Sequence, residues 1–137
     1  MSQADIETLR AVYEAVSRGD WDAALSEASA SFELITPDTN PIAGTYRGPE
    51  EIRRFFDELW APFAEAIVEP ERFIDLDGRI LVFLFMRFRP IDSNATFEMR
   101  IDHLWTVRGG EISRCEVFVE RKDALEAAGL SEQDARS

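Results

Sequence analysis

Asp102 and His103 stand side by side in Arg100-Ile101-Asp102-His103-Leu104-Trp105, and either could supply an acid, a base or a donor to a developing oxyanion. Neighbours in a strand point to opposite faces, so only one of the two can serve a given cavity. Phe97, Met99, Ile101, His103, Trp105 and Val107 share one parity. Thr96, Glu98, Arg100, Asp102 and Thr106 share the other, with Leu104 the one residue out of character. The apolar set should face the core, which puts His103 inside and Asp102 outside, unless a bulge shifts the strand by one residue. An inward imidazole is expected to titrate near neutrality and could relay a proton. It could equally be a core imidazole satisfied by a backbone carbonyl or by Tyr13.

Tyr13 lies on the apolar stripe of a first helix with Ile6, Leu9 and Val16 and could aim its phenol at the same cavity, or simply pack. Cys115, alternating with Val117 and Val119, reads as a small buried hydrophobe before it reads as a nucleophile. Asp38 is a loop carboxylate near the end of a strand, normally a solvated place. Phe56, Trp60, Phe63 and Trp105 could form an aromatic ligand wall, although aromatic stripes of this spacing are by default core. One His and one Cys cannot assemble an ordinary zinc site, no Asp-x-Asp-x-Asp loop is present, and no cofactor is expected. Glu98, Arg100, Arg114 and Glu116 read as cross-strand ion pairs on the outer face.

The elements that must position these side chains follow from pattern. Gly19 should stop the first helix, and Asp20 should cap a short second one carrying Trp21, Ala24, Leu25 and Ala28. Phe32–Thr36 alternates as a strand, and Pro37–Gly48 reads as the longest loop. Pro49 opens a third helix with Ile52, Phe55, Phe56, Leu59, Trp60 and Phe63 on one stripe, ended with the help of Pro62. Strands follow from Ile67 to Leu76, Arg79 to Arg89, through the Asp102-His103 segment, and from Ile112 to Glu120, with turns at Asp77-Gly78 and Gly109-Gly110. Asp123–Leu130 could add a helix over the sheet. Ile80-Leu81-Val82-Phe83-Leu84-Phe85-Met86 is apolar on both faces, so its outer face needs cover, from a second subunit or from the carboxy-terminal segment.

The 137 residues suggest one domain, with a core over about 4–122 and a carboxy-terminal extension over 123–137, and ten Phe and three Trp supply a real core. A formal charge of −12 repels nucleic acid and anionic lipid. The amino terminus lacks signal-peptide character and no segment could span a bilayer, so a cytoplasmic location without a membrane or nucleic-acid partner is expected.

Helices first and then a curved antiparallel sheet make an α+β layout. With Ser17-Arg18-Gly19-Asp20-Trp21-Asp22, Gly44-Thr45-Tyr46-Arg47-Gly48-Pro49-Glu50-Glu51-Ile52 and His103-Leu104-Trp105-Thr106-Val107-Arg108-Gly109-Gly110-Glu111-Ile112, the chain resembles the SnoaL-like branch of the nuclear transport factor 2-like superfamily over nearly its whole length. The resemblance implies a cone-shaped, cystatin-like sheet packed on amino-terminal helices, a pocket between them, and commonly a homodimer through the sheets. It also implies a small hydrophobic or aromatic ligand, with Thr36, Phe56, Trp60, Phe63, Met99, Ile101, Trp105, Cys115 and Val117 as pocket residues and His103, Tyr13 and Asp38 as candidates for chemistry.

Relatives include polyketide cyclases, ketosteroid isomerases and limonene epoxide hydrolases. Read without gaps, Ile101-Asp102-His103 looks like the isomerases' Ile-Asp-His. The turn after it is one residue shorter here, however, which brings His103 to the pocket position. The isomerase base, an Asp before Pro, is replaced by Thr36-Pro37, and its second tyrosine by Phe56. The epoxide hydrolases' Arg-x-Asp is matched only by the Arg of Arg79-Ile80-Leu81, with Val117 at the last strand's Asp. The expectation is therefore a pocket protein that performs proton transfer on a hydrophobic carbonyl compound, as a cyclase or isomerase would, or a non-catalytic binding dimer. A wholly filled interior would point to a structural dimer instead; a cavity above roughly 300 Å³ would count against that.

Overall fold

The computed structural model describes residues 2–36 and 44–136. Helix α1 (Ser2–Arg18) buries Leu9, Val12, Tyr13 and Val16 on one stripe and stops at Gly19, which takes a φ of 71°. Helix α2 (Trp21–Ala24) is a single turn, and the Asp20 carboxylate accepts from the Ala23 N–H at 3.1 Å. Ala28, expected in that helix, instead opens strand β1 (Ala28–Thr36). Part of the expected long loop is a short strand, β2 (Gly44–Arg47), paired antiparallel with β1 from Glu33↔Arg47 to Thr36↔Gly44. Four residues with one apolar ring carry no alternation, so only the pairing defines β2.

Helix α3 (Pro49–Trp60) buries Ile52 and Phe55. Phe63, expected on its stripe, lies past the helix: Pro62 cannot continue the hydrogen-bond ladder, and Phe63 opens β3 (Phe63–Asp75) opposite Pro90. Strands β4 (Arg79–Pro90), β5 (Phe97–Arg108) and β6 (Glu111–Phe118) follow. The β3–β4 turn at Asp77-Gly78 and the β5–β6 turn at Gly109-Gly110 have positive φ at both central residues, as tight two-residue hairpins require. The sheet order among the described residues is β2-β1-β6-β5-β4-β3. β1 and β6 run parallel and the other pairs antiparallel, so the expected antiparallel sheet is in fact mixed. Register shifts at Ala28/Glu33, Phe63/Glu65, Pro70/Arg72 and Thr106/Val107 bend the sheet, and Pro70 is tolerated because β3 is an edge strand.

The main core lies between the helices and the inner face of the sheet. On the outer face a second cluster joins Leu81, Phe83 and Leu104 to Ala124, Leu125 and Ala128 of α4 (Arg121–Ala128). Leu104 thus breaks the polar parity of its strand because it packs under α4. The chain's own carboxy-terminal segment, not a second subunit, covers this part of the outer face. Arg79 donates to the Ala127 carbonyl, and Arg72 to the Ala135 carbonyl in α5 (Glu132–Arg136). Farther along the strands, Phe85 lies beneath the guanidinium groups of Arg87 and Arg100. The expected outer-face ion pairs form with different partners: Arg87 meets Glu98 at 3.1 Å, Arg100 meets Glu71 at 3.0 Å, and Arg114 approaches Glu116 along its own strand. Register explains this, since β6 ends opposite Asp102 and never reaches Glu98 or Arg100.

Candidate ligand pocket

Register settles which of the two adjacent residues reaches the interior. β5 pairs His103 with Val82 and Val117, Trp105 with Ile80 and Cys115, and the bulge near its end adds Ser113 to β6 without shifting β5. Ile112 and Cys115, three apart, can therefore both face inward. His103 faces the helices, and Asp102 goes to the outer face. Asp102 is not in water, however. It is 3 % exposed and accepts two hydrogen bonds from Arg121, at 2.7 and 3.2 Å, while the guanidinium sits 3.5 Å from the centre of the Phe83 ring. Burial raises its pKa, opposed by the hydrogen bonds and charge of Arg121. This pair fastens α4 to the sheet.

Between helices and sheet lies a cavity of about 250 Å³. That is just under the 300 Å³ mark, yet larger than the roughly 150 Å³ apolar cavity that stays dry and accepts benzene. Met99, Ile101, His103 and Trp105 of β5, Cys115 and Val117 of β6, and Thr36 of β1 line it from the sheet; Phe56 and Trp60 of α3 and Phe63 of β3 form the aromatic side; Tyr13 enters from α1. Phe97, Met99 and Val119 are well exposed and mark the open end, while Tyr13, Trp105 and Cys115 are buried at the closed one. Asp38 lies outside the described residues. Arg79 is absent from the lining, and no charged side chain belongs to it among the described residues.

At the closed end three polar side chains form a chain. The Trp105 indole N–H donates to the Tyr13 oxygen at 2.6 Å, and that oxygen lies 2.9 Å from His103 Nδ1. The rings reinforce the geometry: Tyr13 stacks with His103 and meets Trp105 edge-on, and Phe32 lies parallel to Trp105. His103 Nε2 has no protein partner among the described residues. Trp60 Nε1 is the one fully buried side-chain nitrogen or oxygen without a partner there, so Nε2 keeps accessible surface, on the cavity. Thr36 is engaged: its hydroxyl donates to the Gly44 carbonyl and accepts from the Gly44 N–H.

Electrostatically the site is neutral. Burial drops the His103 pKa to about 3, which overturns the expectation that it titrates near neutrality. Burial, with a contribution from Cys115, raises the Tyr13 phenol well above its ordinary value against the Trp105 hydrogen bond. Burial and then Glu116 do the same to the Cys115 thiol, which leaves it a poor nucleophile. A neutral imidazole with so low a pKa is a weak base but a competent hydrogen-bond donor. Among the described residues no group of three or more His, Cys, Asp or Glu could hold a metal ion, and no helix is long and apolar enough to cross a membrane.

Phe32, Met86 and Phe88, outside the pocket set expected from the sequence, also line the cavity. Their inward parity on β1 and β4 was the available signal. Arg121 had none, because nothing local links it to a carboxylate nineteen residues away on another element.

The SnoaL-like domain model matches residues 9–115, most of the chain. The chain belongs to the SnoaL-like family. No curated relative matches it in sequence. Among solved structures it is similar to TerC co-crystallised with polyporic acid, at 22% identity and a TM-score of 0.75, covering 92% of this chain and 98% of that one. It is equally similar to a protein of unknown function from Burkholderia pseudomallei described as NTF2-like, at 22% identity and TM-score 0.75, covering 90% and 95%. A hypothetical protein with a ketosteroid isomerase-like fold from Catenulispora acidiphila, in complex with trimethylamine, follows at 16% identity and TM-score 0.73, covering 93% and 95%. At these identities the SnoaL-like chain shares their fold.

Proposed function

We propose that this SnoaL-like chain binds a small, uncharged, largely apolar molecule in its cavity, with His103 at the closed end as the polar handle and Tyr13 behind it. The observation that carries this reading is an open cavity of about 250 Å³ whose described wall holds no charged side chain and has one accessible imidazole edge. A charged guest would be stripped of water with no counter-charge to meet it. The ligands of TerC and of the Catenulispora acidiphila protein are consistent with small-molecule binding in this fold. Calorimetric titration with naphthalene, 1-naphthoate and 1-naphthylmethylammonium tests it. Naphthalene should bind at least about tenfold tighter than either ion. Equal affinity for an ion, or no binding of naphthalene, would refute the reading.

The second reading is catalytic: a cyclase- or isomerase-type reaction of a hydrophobic carbonyl compound. It is favoured by the indole–phenol–imidazole chain, which ends in a donor able to stabilise a developing oxyanion. In that case His103 polarises the carbonyl rather than abstracting a proton, and His103→Gln should lower kcat by more than it weakens ligand binding. A homodimer through the outer sheet face belongs to the same proposal. The face left for it is the strip of Phe85, Arg87, Glu98 and Arg100, and sedimentation equilibrium tests it.

A further inference from the structure

We infer that the cavity selects ligands presenting a hydrogen-bond acceptor, a ketone or aldehyde oxygen in kind, over ligands whose only polar group is a donor, because the chain Trp105–Tyr13–His103 fixes the imidazole proton on Nε2. The inference rests on the pocket-binding reading and specifies its ligand class.

Direction enters at Trp105, whose indole N–H can only donate. The Tyr13 oxygen accepts that bond at 2.6 Å, and the phenol's own hydrogen then needs an acceptor. Tyr13 is 2 % exposed, and among the described residues its one other hydrogen-bond partner is His103 Nδ1 at 2.9 Å. If Nδ1 carried a proton, two hydrogens would compete for one line between oxygen and nitrogen, and the phenol O–H would be left buried without an acceptor. With Nδ1 bare, every atom in the chain is satisfied. A ring nitrogen's partner sets the tautomer, so the proton sits on Nε2, the edge that faces the cavity. The strong depression of the imidazole pKa by burial excludes the doubly protonated ring at neutral pH.

Among the other described side chains of the wall, a ligand N–H or O–H meets no strong free acceptor. The Thr36 hydroxyl is engaged both as donor and as acceptor with Gly44, and the Cys115 sulfur is only a weak acceptor. Trp105 and Tyr13 act through His103, so they are positioning residues, and the selectivity is set one and two side chains away from the ligand.

Three bicyclic probes of nearly equal size test this: indane without a polar group, indole with a donor alone, and 1-indanone with an acceptor alone. By displacement or calorimetry, 1-indanone should bind about tenfold tighter than indane, and indole no tighter than indane. Equal affinity for all three would overturn the acceptor selection and leave the pocket reading standing. Indole tighter than 1-indanone would show the opposite tautomer. Failure of all three to bind would refute the pocket reading itself. Independently of binding, the long-range proton–nitrogen spectrum of nitrogen-15-labelled protein should show Nε2 protonated and Nδ1 bare; the reverse overturns the proposal. The chain has one histidine, so the imidazole signals need no assignment. In Tyr13→Phe the ratio of 1-indanone to indane affinity, each measured on the variant, should shrink below about threefold. A preference unchanged in that variant would remove Tyr13 from the role.

Discussion

Acidification offers a direct measure of how dry the closed end of the cavity is. In the folded chain burial holds the His103 pKa at about 3, against 6.5 for an exposed imidazole. Between these values the unfolded chain binds a proton that the folded chain refuses, so stability rises with pH there and falls on acidification. The contribution is fully present above about pH 6.5 and drains away toward about pH 3, at about 1.4 kcal/mol per pH unit. From about pH 7.5 to about pH 5 the loss attributable to His103 is therefore about 2 kcal/mol, and it changes little for any folded value below about 4. Urea unfolding of wild type and His103→Gln, followed by tryptophan fluorescence at both pH values, isolates the effect. Asp102 and the other carboxylates are common to both proteins and cancel, and no second histidine contributes. Wild type should lose about 2 kcal/mol more than the variant. Equal losses, or a folded imidazole that titrates near its free value by nuclear magnetic resonance, would refute the claim that the ring sits in a dry, neutral site.

Arg121→Met should destabilise the chain by about 3 kcal/mol in urea unfolding, the low end for a broken buried pair because the Arg121 side chain is 43% exposed. The penalty should shrink as the pH falls and Asp102 becomes protonated, and the double variant Asp102→Leu with Arg121→Met should recover most of it. Val117→Phe should reduce naphthalene affinity at least about tenfold with little change in Tm, since the added ring occupies space that is empty in the wild type. Cys115 is 1 % exposed with a raised thiol pKa, so its reaction with Ellman's reagent should follow the rate of global unfolding; fast labelling of the native chain would contradict its placement.

Much of the architecture was written in short-range pattern. Asp20 and Gly19 mark the helix ends, the Asp77-Gly78 and Gly109-Gly110 turns mark the hairpins, and the parity of β5 sends His103 inward, because backbone periodicity and turn stereochemistry act within a few residues. The features that escaped depend on partners far away in the chain. β2 exists because β1 pairs with it, and the parallel β1–β6 contact joins neighbours in the sheet that lie far apart in the chain. The spacing of Phe63 fits the helical stripe, but the backbone of Pro62 ends α3 and β4 claims Phe63 as a strand residue.

The sequence by itself determined the SnoaL-like α+β layout, the inward side of β5 and the apolar character of the pocket wall, all of which follow from residue type and alternation. Only the tertiary structure decided the charge state and direction of the imidazole, the cover over Leu81, Phe83 and Leu104, and the fate of Asp102. Those outcomes depend on desolvation and on hydrogen bonds between α1 and β5 and between α4 and β5. Such terms arise only when elements distant in sequence close around the same few atoms, so no local pattern can encode them.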